Sequence, residues 1–191
     1  LWVANNRGVF KLDPETGEVV AEFPNPGVRP WGMAFDGEHL WVNDFTELAL
    51  YELDPDTGEV LFEFSYAELF PGGLNGLAWD GEHLCLTGWS EFRGLVKFDR
   101  DGNLVGQIPT EEWVGCGLTF DGEFFWAPDG NGKLWKIDQE GNCVGWISAG
   151  GAVGTWDLAW DGEHLWSGER TYEVWADNKI FELEILEVQP A

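Results

Sequence analysis

The stretch GMAFDGEHLW, residues 32–41, is written almost unchanged three more times: GLAWDGEHLC at 76–85, GLTFDGEFFW at 117–126 and DLAWDGEHLW at 157–166. Each copy places apolar residues on both sides of an Asp-Gly pair. Asp-Gly between two apolar runs is a hairpin signal, because glycine supplies the positive φ that a tight turn needs. The phrase therefore encodes two antiparallel strands and their turn, four times over.

A second phrase alternates with the first. It reads GVFKLDPETGEVVAEF at 8–23, ALYELDPDTGEVLFEF at 49–64, GLVKFDRDGNLVGQI at 94–108 and KLWKIDQEGNCVGWI at 133–147, with a degenerate fifth copy, KIFELEILEV, at 179–188. Its segments FKLD, YELD and VKFD alternate with the period of two that marks a half-buried strand. Its DPETGE, DPDTGE, DRDGN and DQEGN segments are turns. One unit thus holds four strands, named a (GMAFD), b (HLWV), c (VFKLD) and d (EVVAEF). Trp2, Trp41, Cys85, Trp126 and Trp166 mark one position at spacings of 39, 44, 41 and 40 residues. A period near forty built from short strands is the signature of propeller blades, which bury their faces only by stacking around an axis.

The expected fold is all-β: a five-bladed β-propeller in a single domain, residues 1–191. The chain starts at strand b of the first repeat and ends near strand c of the fifth, so the first and last blades are incomplete. Either the ring closes imperfectly or the chain is a portion of a longer propeller. In a closed ring the N-terminal strands are expected to pack beside residues 180–188, with Trp2 buried like Trp41.

Composition narrows the function. Lys+Arg 10 against Asp+Glu 35 gives a net charge of -25. Phosphate backbones and anionic lipid surfaces need Lys/Arg clusters, so neither a nucleic acid nor a membrane is an expected partner. No stretch approaches the roughly 18 apolar residues of a membrane helix. Cys85 and Cys143 occupy apolar strand positions and Cys116 precedes a strand, with neither disulfide nor zinc spacing. His39, His83 and His164 recur at one turn, where symmetry points them away from one another. Counted from Asp54, a calcium loop would need Gly at its sixth place and Glu at its twelfth. Gly58 is fifth and Ser65 twelfth, so the segment is an ordinary turn. No metal site, cofactor or catalytic residue is expected.

The a–b and c–d turns share one rim and are nearly identical between repeats. The b–c loops (VANNRG, VNDFTELA, LTGWSEFRG, APDGNG, SGERTYEVWADN) and the d–a loops (PNPGVRPW, SYAELFPGGLN, PTEEWVGC, SAGGAVGTW) share the other rim and diverge. Binding residues favour loops carried on a rigid frame, so the site is expected on the variable rim. The expected ligand-binding set is Trp31, Asn43, Asp44, Asn75, Thr87, Trp89, Trp113, Asp129, Trp156, Asp157, Glu169 and Arg170. Asp157 stands where the sister repeats carry Gly32, Gly76 and Gly117.

Two stretches resemble the propeller-type glutaminyl cyclotransferases, which close N-terminal Gln to pyroglutamate. They are LWVNDFTELALYELDPDTGEVLFEF (40–64) and LFPGGLNGLAWDGEHLCLTGW (69–89). Asn-Gly-Leu-Ala at 75–78 also resembles the gluconolactonase-type propellers, in which the counterpart of Asn75 is a metal ligand. The cyclotransferases carry a catalytic Glu just before a Gly-Leu-Thr strand, where this chain has Trp31, Asn75, Cys116 and Trp156. The Lys of their Thr-Gly-Lys is Trp89 here. The resemblance supports the fold and carries over Asn75, Thr87 and Gly88. The expectation is a non-catalytic binding module with an acidic, Trp-bearing rim for a small-molecule, glycan or protein ligand, placed outside the cytoplasm (extracellular or periplasmic). Its alternatives are a cyclotransferase-like enzyme acting on N-terminal Gln, with Asp44, Glu91 or Asp157 as acid/base, and a structural module of a larger assembly. The protein is expected as a monomer or as such a module.

Overall fold

The computed structural model describes residues 1–88, 92–148, 155–169, 180–183 and 188–190. Five small antiparallel sheets form the blades. Blade 1 holds β1 (Trp2–Asn5), β2 (Gly8–Leu12) and β3 (Val19–Phe23), which are strands b, c and d. Blade 2 holds β4 (Pro30–Phe35), β5 (Leu40–Asp44), β6 (Ala49–Leu53) and β7 (Val60–Ser65). Blade 3 holds β8 (Leu74–Trp79), β9 (Leu84–Gly88), β10 (Gly94–Phe98) and β11 (Leu104–Pro109). Blade 4 holds β12 (Thr119–Phe120), β13 (Phe125–Pro128), β14 (Lys133–Ile137) and β15 (Cys143–Ser148). Blade 5 holds β16 (Thr155–Trp160), β17 (Leu165–Glu169) and β18 (Ile180–Leu183), which are strands a, b and c.

The repeated phrases fold by one local rule. In the a–b turn of blade 2, the Glu38 and His39 N–H groups donate to Asp36 Oδ1 at 2.9 and 2.7 Å. Gly37 sits at φ 96°. Trp41 Nε1 then reaches back to Asp36 Oδ2 at 2.9 Å. Asp121 with Trp126, and Asp161 with Trp166, repeat the arrangement at 2.7 Å each. Blade 3 has Cys85 in place of the Trp, and Lys97 Nζ fills the gap by donating to Asp80 Oδ2 at 2.7 Å. Burial opposes ionisation of Asp80, but the Lys97 bond and the Glu82 and His83 amides outweigh it and hold the carboxyl down, to about 2.

The core lies between blades. Trp41, Leu50, Tyr66, Leu77, Leu86 and Phe98 fill the gap from blade 2 to blade 3. Similar clusters join blades 3 and 4, 4 and 5, and 1 and 2. Inner strands approach so closely that a Cβ on Gly32, Gly76 or Gly117 would lie 2.7, 2.4 or 2.6 Å from backbone atoms of the next inner strand. Glycine at those places is a packing requirement. Around the axis the inner strands, with Leu1 and Trp2, line a channel of about 390 Å³.

The seam differs from the sequence expectation. Trp2 is half-buried, whereas Trp41 is 0% exposed. Among the described residues, β1 pairs with β2 and not with β18. β18 pairs with β17, and Gln189 pairs with Trp146 through two backbone bonds of 2.8 and 2.9 Å, running along β15 of blade 4. The physical reason is radial position. β18 is a third strand out from the axis, while the inner edge of β1 lies at the radius of the inner strands.

Candidate functional site

Loops of adjacent blades meet on the variable rim. The Phe45 N–H donates to the Arg29 carbonyl at 3.1 Å, tying the b–c loop of blade 2 to the d–a loop before it. Asp44, 1% exposed, holds both. Its Oδ2 accepts from the Arg29 N–H, and its Oδ1 accepts from the Thr46 and Glu47 N–H groups at 2.8 Å each. On this lock the Arg29 guanidinium stacks 4.5 Å from the Trp31 ring and 5.8 Å from that of Phe45, and the two rings are 4.8 Å apart. A cation over an aromatic face is attracted by the ring quadrupole, which gives the rim a charged and apolar surface together. Leu48, in the same loop, takes a positive φ of 53°, which is uncommon for a non-glycine residue.

On blade 4, the half-buried Trp113 ring lies where a Cβ on Gly115 would be 2.5 Å away, and it reaches Gly130 of the neighbouring loop. Asp129 shapes that loop by accepting from the Asn131 and Lys133 N–H groups at 2.7 and 3.1 Å. Burial, with the Asp129 charge added, pushes the Cys116 thiol up to about 12, so it is an inert thiol.

Asn43, Asn75 and Thr87 are buried beneath the rim and their polar atoms tie blades together. Asn43 Nδ2 donates to the Leu74 and Asn75 carbonyls at 2.7 Å each and its Oδ1 accepts from Tyr66. Asn75 Nδ2 donates to the Gly115 carbonyl. Thr87 Oγ1 donates to the Cys116 carbonyl at 3.0 Å and accepts from the Gly76 N–H. Asn75 Oδ1 is buried and has no hydrogen-bond partner among the described residues.

Asp157 lies elsewhere, on β16, lining the cleft between blades 5 and 1. Its side chain meets solvent there while protein atoms surround it laterally. That crowding by protein atoms outweighs the bond from the Leu158 N–H and pushes the carboxyl up, to about 7. Trp89 and Arg170, and the side chains of Trp156 and Glu169, lie outside the described residues. Of the expected set, Trp31 and Asp44 meet in one lock, and Trp113 and Asp129 flank Gly130. Arg29 and Phe45 were absent from the expected set, although both stand in the divergent loops PNPGVRPW and VNDFTELA.

No protein-family model matches the sequence, and no curated protein matches it. Solved structures do. A Myxococcus xanthus glutaminyl cyclase is 18% identical over 96% of this chain and 82% of its own, with a TM-score of 0.74. The Neurospora crassa Pan2 WD40 domain is 14% identical over 98% of this chain and 60% of its own, with a TM-score of 0.61. Kuenenia stuttgartiensis hydrazine synthase is 16% identical over 85% of this chain and 49% of its own, with a TM-score of 0.54. Likeness at such identities concerns architecture alone. The chain is a five-bladed β-propeller similar in fold to the Myxococcus glutaminyl cyclase.

Proposed function

We propose that this propeller is a non-catalytic binding module whose variable rim, centred on Arg29, Trp31 and Phe45, engages a ligand or protein partner. One observation carries the reading. The repeated turns hold the frame, whereas the divergent loops hold an arginine over two aromatic rings on the rim. Rigid aromatic and arginine groups are the side chains that dominate binding energy where they are presented in place. The net charge of -25 favours partners with cationic groups.

The test is an array of glycans and peptides probed with the wild type and with Trp31→Ala. Retention of a ligand class that the substitution lowers at least tenfold is the expected result. Ligands retained equally by both proteins would place recognition away from this rim. A cyclotransferase is the second reading, with the Asp157 carboxyl in the cleft between blades 5 and 1 as its candidate acid/base. Incubation with Gln-initiated peptides separates the two: no release of ammonia is expected, and pyroglutamate formation lost in Asp157→Asn would establish the enzyme.

A further inference from the structure

β11 and β15 are the fourth strands of blades 3 and 4, and each pairs in the same register with the strand inside it. They read LVGQIP and CVGWIS, so Gly106 matches Gly145 and Gln107 matches Trp146. Gly106 stands opposite Lys97 as Gly145 stands opposite Lys136.

The outer edge of β15 is covered. The Trp146 N–H donates to the Gln189 carbonyl at 2.9 Å, and the Gln189 N–H donates to the Trp146 carbonyl at 2.8 Å. Val188, one residue before this bridge, lies over Gly145. A Cβ on Gly145 would come 2.5 Å from Val188 Cγ1 and 2.7 Å from the Gln189 carbonyl oxygen, so the glycine makes the room the segment needs. β11 offers the same room, and among the described residues nothing fills it. A Cβ on Gly106 would have the Lys97 Cβ, at 3.9 Å, as its nearest neighbour. Gly145 is accordingly buried and Gly106 half-buried.

Gly106 has no conformational reason to be glycine. It is not one of the glycines at positive φ. Ala21 and Phe62 hold the same place, beside the same bulge, in blades 1 and 2. Glycine inside a strand often marks the close approach of another backbone. Charge separates the edges in the same way. Where β11 has Gln107 and β15 has Trp146, β3 and β7 carry Glu22 and Glu63. A charge on an edge strand guards against pairing. β11 and β15 carry none, in a chain with Asp+Glu 35. The alternation of an antiparallel ladder turns the Gln107 N–H and carbonyl outward, as it does those of Trp146.

We propose that the outer edge of β11 is a binding site for an extended peptide segment of a partner protein, added to blade 3 as an antiparallel fifth strand. The occupant sets a β-branched side chain over Gly106. Its next residue, uncharged, pairs with Gln107 through two backbone bonds, as Val188 and Gln189 do on β15. Backbone bonds supply affinity, and the opening at the glycine selects the side chain. The inference does not depend on the rim reading.

The probe is the peptide LEVQPA, residues 186–191 of this chain with both ends blocked, titrated into isotope-labelled protein. Saturable binding is expected, with the Gln107 amide signal shifting and its hydrogen exchange slowed about tenfold. Methylating the peptide's Gln nitrogen removes the bond to the Gln107 carbonyl and should weaken binding about tenfold. Gly106→Val should weaken it as much while melting near the wild type, since blades 1 and 2 already carry a side chain at that place. Gln107→Glu, which installs the charge of the two guarded edges, should also weaken it. Trp31→Ala should bind the peptide as the wild type does, separating this edge from the rim. No saturable binding, or binding that Gly106→Val leaves unchanged, would overturn the proposal. A dimer in solution that Gly106→Val dissolves would assign the edge to a second copy and overturn it equally.

Discussion

A glycine that turns the chain and a glycine that lets two strands touch are different residues energetically. Gly81, at φ 99°, has nothing within 4 Å of its would-be Cβ, so Gly81→Ala costs only backbone strain, about 1 kcal/mol. A Cβ on Gly76 would meet the Cys116 carbonyl at 2.4 Å, so Gly76→Ala must separate two inner strands and should cost more, about 3 kcal/mol. Denaturant unfolding of the two variants checks the order. Titration gives a second pair of expectations with opposite signs. Asp80 is held near 2, below its ordinary 3.8, so its contribution is complete above about pH 4 and disappears as pH falls toward 2. Asp80→Asn should therefore be less stable than wild type at pH 7, with the deficit closing in acid. Asp157 is raised to about 7, so folding favours its protonated form and stability declines as pH climbs from about 4 through 7. Asp157→Asn should gain on wild type over that interval in thermal melts at stepped pH. A fixed difference at every pH would contradict either assignment.

The strands and their turns were legible because their cues are local. Asp36, Gly37 and Trp41 interact within five residues, and the structure repeats the pattern at Asp121 and Asp161. The loop is Asp-Gly-Glu-His with only the glycine at positive φ, rather than the two-residue turn that Asp-Gly most often makes. Asn43, Asn75 and Thr87 were legible as notable residues, but not as ties between blades. The carbonyls to which they donate stand about one repeat away, at separations of 29 to 40 residues, and no local pattern reports such a contact. The Arg29 lock was missed for a related reason, since it exists only where two divergent loops meet. Asn43→Ala would strand the Tyr66 hydroxyl and the Leu74 and Asn75 carbonyls in the interior, so a loss of about 2–3 kcal/mol is expected. Unchanged stability in chemical denaturation would mean that the blades do not rely on this tie.

At the scale of the molecule, five sheets around an axis concentrate like charge on one body. With a net charge of -25, screening by sodium chloride should raise the melting temperature, and calcium at matched ionic strength should raise it no further. A calcium-specific rise would reveal cation binding that the chain's spacing does not announce. Ring closure was the least legible feature. β1 and β5 share Trp-Val and stand at the same place in their blades, yet their burial differs because β5 pairs with β4 on its inner side and β1 borders a cleft. The central claim is that the repeated rim carries stability and the divergent rim carries recognition. It is tested most directly by comparing Asp36→Asn with Trp31→Ala for melting temperature and for retention on the glycan and peptide array. Asp36→Asn weakens a turn that accepts two backbone N–H groups and the Trp41 indole, so it should melt lower and keep its ligands. Trp31→Ala should melt near wild type and lose them. An Asp36 variant that loses ligands without losing stability, beside a Trp31 variant that binds normally, would contradict the account.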